Sequence, residues 1–241
     1  MIIVWFKLMM TMVLMVFSVT EGTLFNVLND MLYRSQPEVE SVAHGRVSAG
    51  SLGQGKRLPT KGANFESYSQ LGSLMGRTYV HSKVHDVMLA AYDSLNSAYP
   101  EQRFVFAETG WAAGGSFRPH RTHQNGLSVD FVVPVQKVED ESSGMLYCTM
   151  LNLWCYGESF PSDDAKFSIN FDMLAAHLVA LHKSAQKEGV EIEQVILAPD
   201  LHKHVFSTKD GEYIRKNMTF MKRKAWVRHD DHYHVDFKIV D

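Results

Sequence analysis

The chain has 241 residues, enough for one domain with a sizeable core, and its 45% hydrophobic and 21% charged composition is that of a globular protein. A formal net charge of −3 argues against a dedicated nucleic-acid binder, and no low-complexity run or internal repeat points to a fibre or solenoid. Residues 1–22 read as a secretory signal: Lys7 precedes an apolar run from Leu8 to Phe17 that suits a targeting segment better than a membrane span. The alternative is an uncleaved anchor helix. On the signal reading the chain is exported to the periplasm, has no stable membrane insertion once the signal is removed, and its domain covers residues 23–241.

Thr23 to Arg34 is an amphipathic or extended lead-in. His44 to Arg77, rich in Gly, Ser and Lys, reads as loops with short strands. From His81 to Ala98, Val84, Val87, Met88, Ala91, Tyr92 and Leu95 recur at helical spacing, and Pro100 follows as a stop. "RFVFAETGW" is a strand with a turn, "AAGGSFRPHRTHQNG" a glycine-bearing loop, and "LSVDFVVPV" a strand ended by Pro134. An acidic insertion, Gln136 to Asp164, carries the two cysteines, Cys148 and Cys155, which in an exported chain are expected to close a local disulfide. A helix is expected over Asn170 to Lys187, with Phe171, Leu174, Ala175, Leu178 and Leu181 on one face and Gly189 as its stop. "EIEQVILAP" is a strand, Leu201 to Phe206 one helical turn, and "GEYIRKNMTFMKRKAW" basic and partly helical. Strands and helices mix without regular βαβ alternation, which gives an α+β fold with a central antiparallel sheet and flanking helices.

The closing "HYHVDFKIV" alternates strictly. In a strand, residues two apart share a face, so His232, His234 and Asp236 point one way and Tyr233, Val235, Phe237 and Ile239 the other, into a core. Upstream, His120 and His123 precede Asp130, with Gly126 permitting a sharp turn into the strand that carries Asp130. A loop histidine, a strand carboxylate and a histidine from the last strand can converge on one point. Two imidazoles and a carboxylate leave a position open, the arrangement of catalytic rather than structural zinc. Asp236 reads equally well as a partner for a histidine or as a solvated strand residue. His177 and His182 read as exposed or partly buried helix residues, His202 and His204 as surface residues. The basic stretch Arg215 to Arg228 reads as a solvated face, or as a holder of anionic glycan or peptide carboxylates.

"AGGSFRPHRTHQNGLSVD" resembles the first motif of the penicillin-insensitive murein endopeptidases, part of the wider group of lysostaphin-like, D-Ala-D-Ala-peptidase-like and hedgehog-like zinc folds. "HDDHYHVDF" resembles their second motif, and Trp226 before it fits as well. The resemblance implies that His123, Asp130 and His234 bind Zn2+, with His120 a further ligand or a group behind the ligands. It implies that His232 acts on water or the transition state and that His229 assists, with His229 and His120 able to pass a proton to the leaving amine. The implied substrate is the D-alanyl to meso-diaminopimelate crosslink of peptidoglycan. The insertion departs from the family, which leaves linkage specificity open. A D,D-carboxypeptidase or L,D-peptidase can use the same metal centre, and the same fold can serve as an inactive zinc-containing cell-wall binding module. An HD-type phosphohydrolase, suggested by His229-Asp230, needs its ligands on helices, and this motif runs into a strand.

Overall fold

A computed structural model describes residues 23–139, 142–144 and 167–240. The expected signal and the expected Cys148–Cys155 bridge fall outside these residues. The lead-in is a helix over residues 23–34, α1, docked by Asn29, whose amide donates to Gln70 O. A hairpin of β1 (Val42–Arg46) and β2 (Ala49–Gly53) follows, then β3 (Lys56–Arg57), β4 (Phe65–Ser67), α2 (Gln70–Leu74) and β5 (Tyr79–Val80). The long helix α3 (Ser82–Ala98) starts where the His81 side chain accepts from Lys83 N. Next come β6 (Phe104–Phe106), β7 (Ser128–Val132), β8 (Val135–Lys137), β9 (Ser143–Gly144) and β10 (Phe167–Ile169). Helix α4 (Phe171–Lys187) is capped by Asn170, which accepts from Met173 N, and gives way at Gly189, whose φ of 64° suits glycine. The chain closes through β11 (Val190–Ile196), a 3-10 turn at Pro199–Leu201, α5 (His202–Phe206), α6 (Gly211–Asn217) and β12 (His232–Ile239). Among the described residues no helix is long and apolar enough to cross a membrane.

The main sheet has the order β11-β12-β7-β6-β4. The mixed α/β architecture holds, with one departure from an all-antiparallel sheet: β4 lies parallel to β6. A parallel neighbour needs a long crossover, and the run through α2, β5 and α3 supplies it. The insertion is tied at its base, because β8 pairs with both β9 and β10.

Helices α3 and α4 pack together on one face of the sheet. Val87, Met88, Tyr92, Leu174, Leu178 and Leu181 meet Phe104, Phe106, Phe131, Tyr233, Val235 and Phe237 there, all buried. Each fully buried side chain of this kind contributes about 1.5–3 kcal/mol. The expectation for His177 is corrected: it is 1% exposed, at the centre of this core. Its ring stacks on Tyr92 at 5.3 Å and meets Phe131 edge-on at 4.8 Å, and its Nδ1 is hydrogen-bonded to the Tyr233 hydroxyl. Burial pushes its pKa down to about 3, so the ring is neutral. The opposite sheet face carries a small apolar patch of Tyr68, Val105, Ala107 and Val132, and beside it the polar groups of β7 and β12.

Candidate metal centre and proton-transfer pair

Strands β7 and β12 run antiparallel in a register that sets His234 against Asp130 and Asp236 against Ser128. Alternation then divides β12 as expected. Tyr233, Val235 and Phe237 enter the helical core, while His232, His234 and Asp236 face away from it. The second face is also buried, with these three residues at 4%, 2% and 5% exposure. Asp236 is therefore no solvated strand residue: its Oδ1 accepts from Ser128 Oγ at 2.6 Å and lies 2.7 Å from His234 Nε2.

The loop between β6 and β7 brings His120 and His123 over this face. Two glycines allow its path. A Cβ on Gly126 (φ 77°) would come 2.7 Å from His81 N, and one on Gly114 (φ 64°) 2.2 Å from Gln124 O. His123 itself adopts φ 66°, a left-handed conformation that costs a non-glycine residue about 1 kcal/mol or more and that clusters at functional sites.

The three imidazoles share one arrangement. His120 Nε2 lies 2.5 Å from Glu108 Oε2, and its Nδ1 faces Asp130 Oδ2 at 3.5 Å. His123 donates from Nδ1 to Thr109 O at 3.1 Å, and its fully buried Nε2 has no hydrogen-bond partner but stands 3.4 Å from Asp130 Oδ1. His234 is held through Nε2 by Asp236, and its Nδ1 lies 2.7 Å from Asp130 Oδ1. One nitrogen of each ring is held from outside and the other faces Asp130. Carboxylate or carbonyl partners on the outer nitrogen are the usual supports of a metal-binding imidazole. Ligand-type atoms of His120, His123 and Asp130 lie within 4.8 Å of one another, which can hold a metal ion.

Charge fits a cation as well. Burial works against the charge on Asp130, but His123 and His234 outweigh it and hold the carboxyl well below its usual range. Burial likewise opposes charge on Asp236 and Glu108, which His234 and His120 with Arg77, respectively, offset and keep ionised. With neutral imidazoles, Glu108, Asp130 and Asp236 carry three negative charges, of which the Arg77 guanidinium beside Glu108 offsets one, an excess that a divalent cation matches. In the structure His234 meets part of that excess. Burial disfavours its charge, yet Asp236 and Asp130 push its pKa up to about 10.

His229 and His232 form a second pair, ring centroids 4.5 Å apart. Asp231 holds His232 Nδ1 and so fixes the orientation of the ring. His229 Nδ1 donates to Val227 O at 2.8 Å, and burial, followed by the neighbouring His232, pushes its pKa down to about 4. Arg121, from the histidine-bearing loop, lies over the exposed Trp226 ring at 5.8 Å, so the two segments meet beside the site.

Sequence reasoning missed Glu108. It is fully buried and accepts from the Tyr68 hydroxyl at 3.0 Å, from Arg77 and from His120. Arg77 in turn packs over Phe117 at 4.4 Å and Trp111 at 5.0 Å. His202 and His204 stand apart from the site: His202 bonds to Leu197 O, and His204 stacks on Phe171.

No curated protein matches the chain. A family model described as penicillin-insensitive murein endopeptidase matches residues 43–240, a span that contains the histidine-bearing loop, β7 and β12. With the match running over most of its length and across every residue of the site just described, the chain belongs to the penicillin-insensitive murein endopeptidase family.

Proposed function

We propose that this chain is a zinc-dependent endopeptidase that hydrolyses the D-alanyl to meso-diaminopimelate crosslink of peptidoglycan. One observation carries the reading: three imidazoles held at their outer nitrogens, with the inner ones turned to the Asp130 carboxylate. His123 through Nε2, Asp130, and His234 through Nδ1 would hold the cation. His120 through Nδ1 would serve as a further ligand or stand behind them. Nitrogen and oxygen donors without a cysteine suit zinc. Bound there, zinc supplies a Lewis acid for the scissile carbonyl and lowers the pKa of water toward neutrality.

The chain's own groups would do the rest. His232, with Nδ1 fixed by Asp231, would take the proton of the attacking water at Nε2. The Asp231 carboxylate offsets the charge that the ring gains, and the same proton can then pass to the leaving amine. His229, neutral and donating from Nδ1 to Val227 O, has Nε2 available to accept a hydrogen bond. Buried walls around Asp130 and His234 keep bulk water from screening these charges. The substrate lies outside the cytoplasm, which agrees with residues 1–22 acting as a signal, a periplasmic location, and one domain over 23–241.

The purified exported protein should contain about one zinc per chain. Chelation should abolish hydrolysis of a crosslinked muropeptide dimer, and zinc should restore it. Full activity in a protein free of metal would refute the zinc assignment.

A further inference from the structure

The basic stretch before β12 contributes a wall of a cavity of about 470 Å³. Lys224, Ala225, Val227, Arg228 and His229 form one side, and the run from Ile196 to Asp200 forms the other. His229 belongs both to this cavity and to the histidine pair, its ring 4.5 Å from that of His232, so the cavity adjoins the proton-transfer groups. The Ala198 amide donates to His229 O at 2.7 Å and ties the two walls together.

The lining is chemically divided. Ile196, Leu197, Ala198 and Pro199 offer an apolar wall. Arg228 is engaged by Asp200 at 3.0 Å and Asp230 at 2.7 Å. Lys224, exposed at the mouth, has no ion pair among the described residues. An apolar wall beside an uncommitted cation suits an alkyl chain that ends in, or bears, a carboxylate.

We propose that this cavity is the subsite for a free carboxylate borne on the carbon attached to the scissile amide nitrogen, with Lys224 as its counter-charge and the Ile196–Pro199 wall along the attached alkyl chain. The inference rests on the peptidase reading above. His232 serves the leaving amine in that reading, and the cavity begins at His229, whose ring lies 4.5 Å from that of His232, so a substituent on the amine is within reach of it. Its volume far exceeds what the methyl of a terminal alanine would fill. The long-chained diamino acid of a crosslink fills it better, which favours endopeptidase over carboxypeptidase specificity.

Steady-state kinetics on a crosslinked muropeptide dimer, with that carboxylate free or amidated, test the subsite. Lys224→Glu should raise KM on the free-carboxylate dimer about tenfold, with kcat within about twofold of wild type. Amidation should produce a similar loss for wild type and no further loss for Lys224→Glu. Lys203→Glu, which makes the same change of net charge outside the cavity, should behave as wild type. The subsite is refuted if Lys224→Glu matches wild type, if Lys203→Glu loses as much, or if wild type cuts both dimers equally well. Cleavage of neither dimer by the zinc-loaded wild type would instead overturn the peptidase reading, and the subsite with it.

Discussion

Asp236 holds the Nε2 of His234 at 2.7 Å from two residues further along the same strand. The relationship follows from alternation: residues two apart in β12 share a face, and the register against β7 places Ser128 where it can donate to the same carboxylate. In the proposed site, Asp236 fixes the ring so that Nδ1 is the nitrogen presented to the cation. Asp236→Asn should weaken zinc binding about tenfold to a hundredfold, measured by competition with a chromophoric chelator, while the circular dichroism spectrum stays as in wild type. Unchanged affinity would count against this orienting role.

His232 and His234 share a face yet are assigned different work, and substitution should separate them. His234→Ala should lose both zinc and activity. His232→Ala should retain zinc and lose activity by about 10²–10⁴-fold. Metal analysis and dimer hydrolysis on the same preparations provide the check, and near-normal turnover in His232→Ala would refute the proton-transfer role.

Glu108 links the buried Arg77 guanidinium to His120. Glu108→Ala would leave that guanidinium without its carboxylate, at a cost of about 3–5 kcal/mol in denaturant unfolding. Adding Arg77→Met should recover part of the stability, because the uncompensated charge is then gone. It should not recover the setting of His120, so the double variant should still bind metal less tightly than wild type. Equal stability of the single and double variants would show that the buried ion pair is not the source of the loss.

The His177 site provides a pH test. Its folded pKa of about 3 lies below the ordinary histidine value of 6.5, so between these values the unfolded chain binds more protons than the folded one. Stability must then rise with pH across this window and fall on acidification. The contribution lost between pH 7 and pH 5 is about 2 kcal/mol. His177→Phe removes this dependence, and its unfolding free energy should fall by about 2 kcal/mol less than that of wild type over the same interval. Parallel pH profiles would contradict a neutral, buried His177.

Some features of the fold and the site were legible in the sequence, and others were not. The two faces of β12 could be read because a strand's period is two and the apolar set Tyr233, Val235, Phe237 is unbroken. His123 and Asp130 could be paired because the glycine-bearing turn and the strand lie within one short segment. Glu108 had no such signal: its partners Tyr68, Arg77 and His120 are 40, 31 and 12 residues away, and only the fold brings them together. His177 did carry one. It sits at helical spacing between Leu174 and Leu181, on the apolar face, but its Tyr233 partner comes from a strand 56 residues later. The parallel pairing of β4 with β6 was hidden because β4 is only three residues long.

The most direct test is the muropeptide profile of purified sacculi after digestion with the zinc-loaded protein, with and without a chelator. The expected result is loss of D-alanyl–meso-diaminopimelate-crosslinked dimers with a matching gain of monomers, abolished by the chelator. Dimers that survive digestion by the zinc-loaded protein, or loss of terminal D-alanine alone, would contradict the proposed activity.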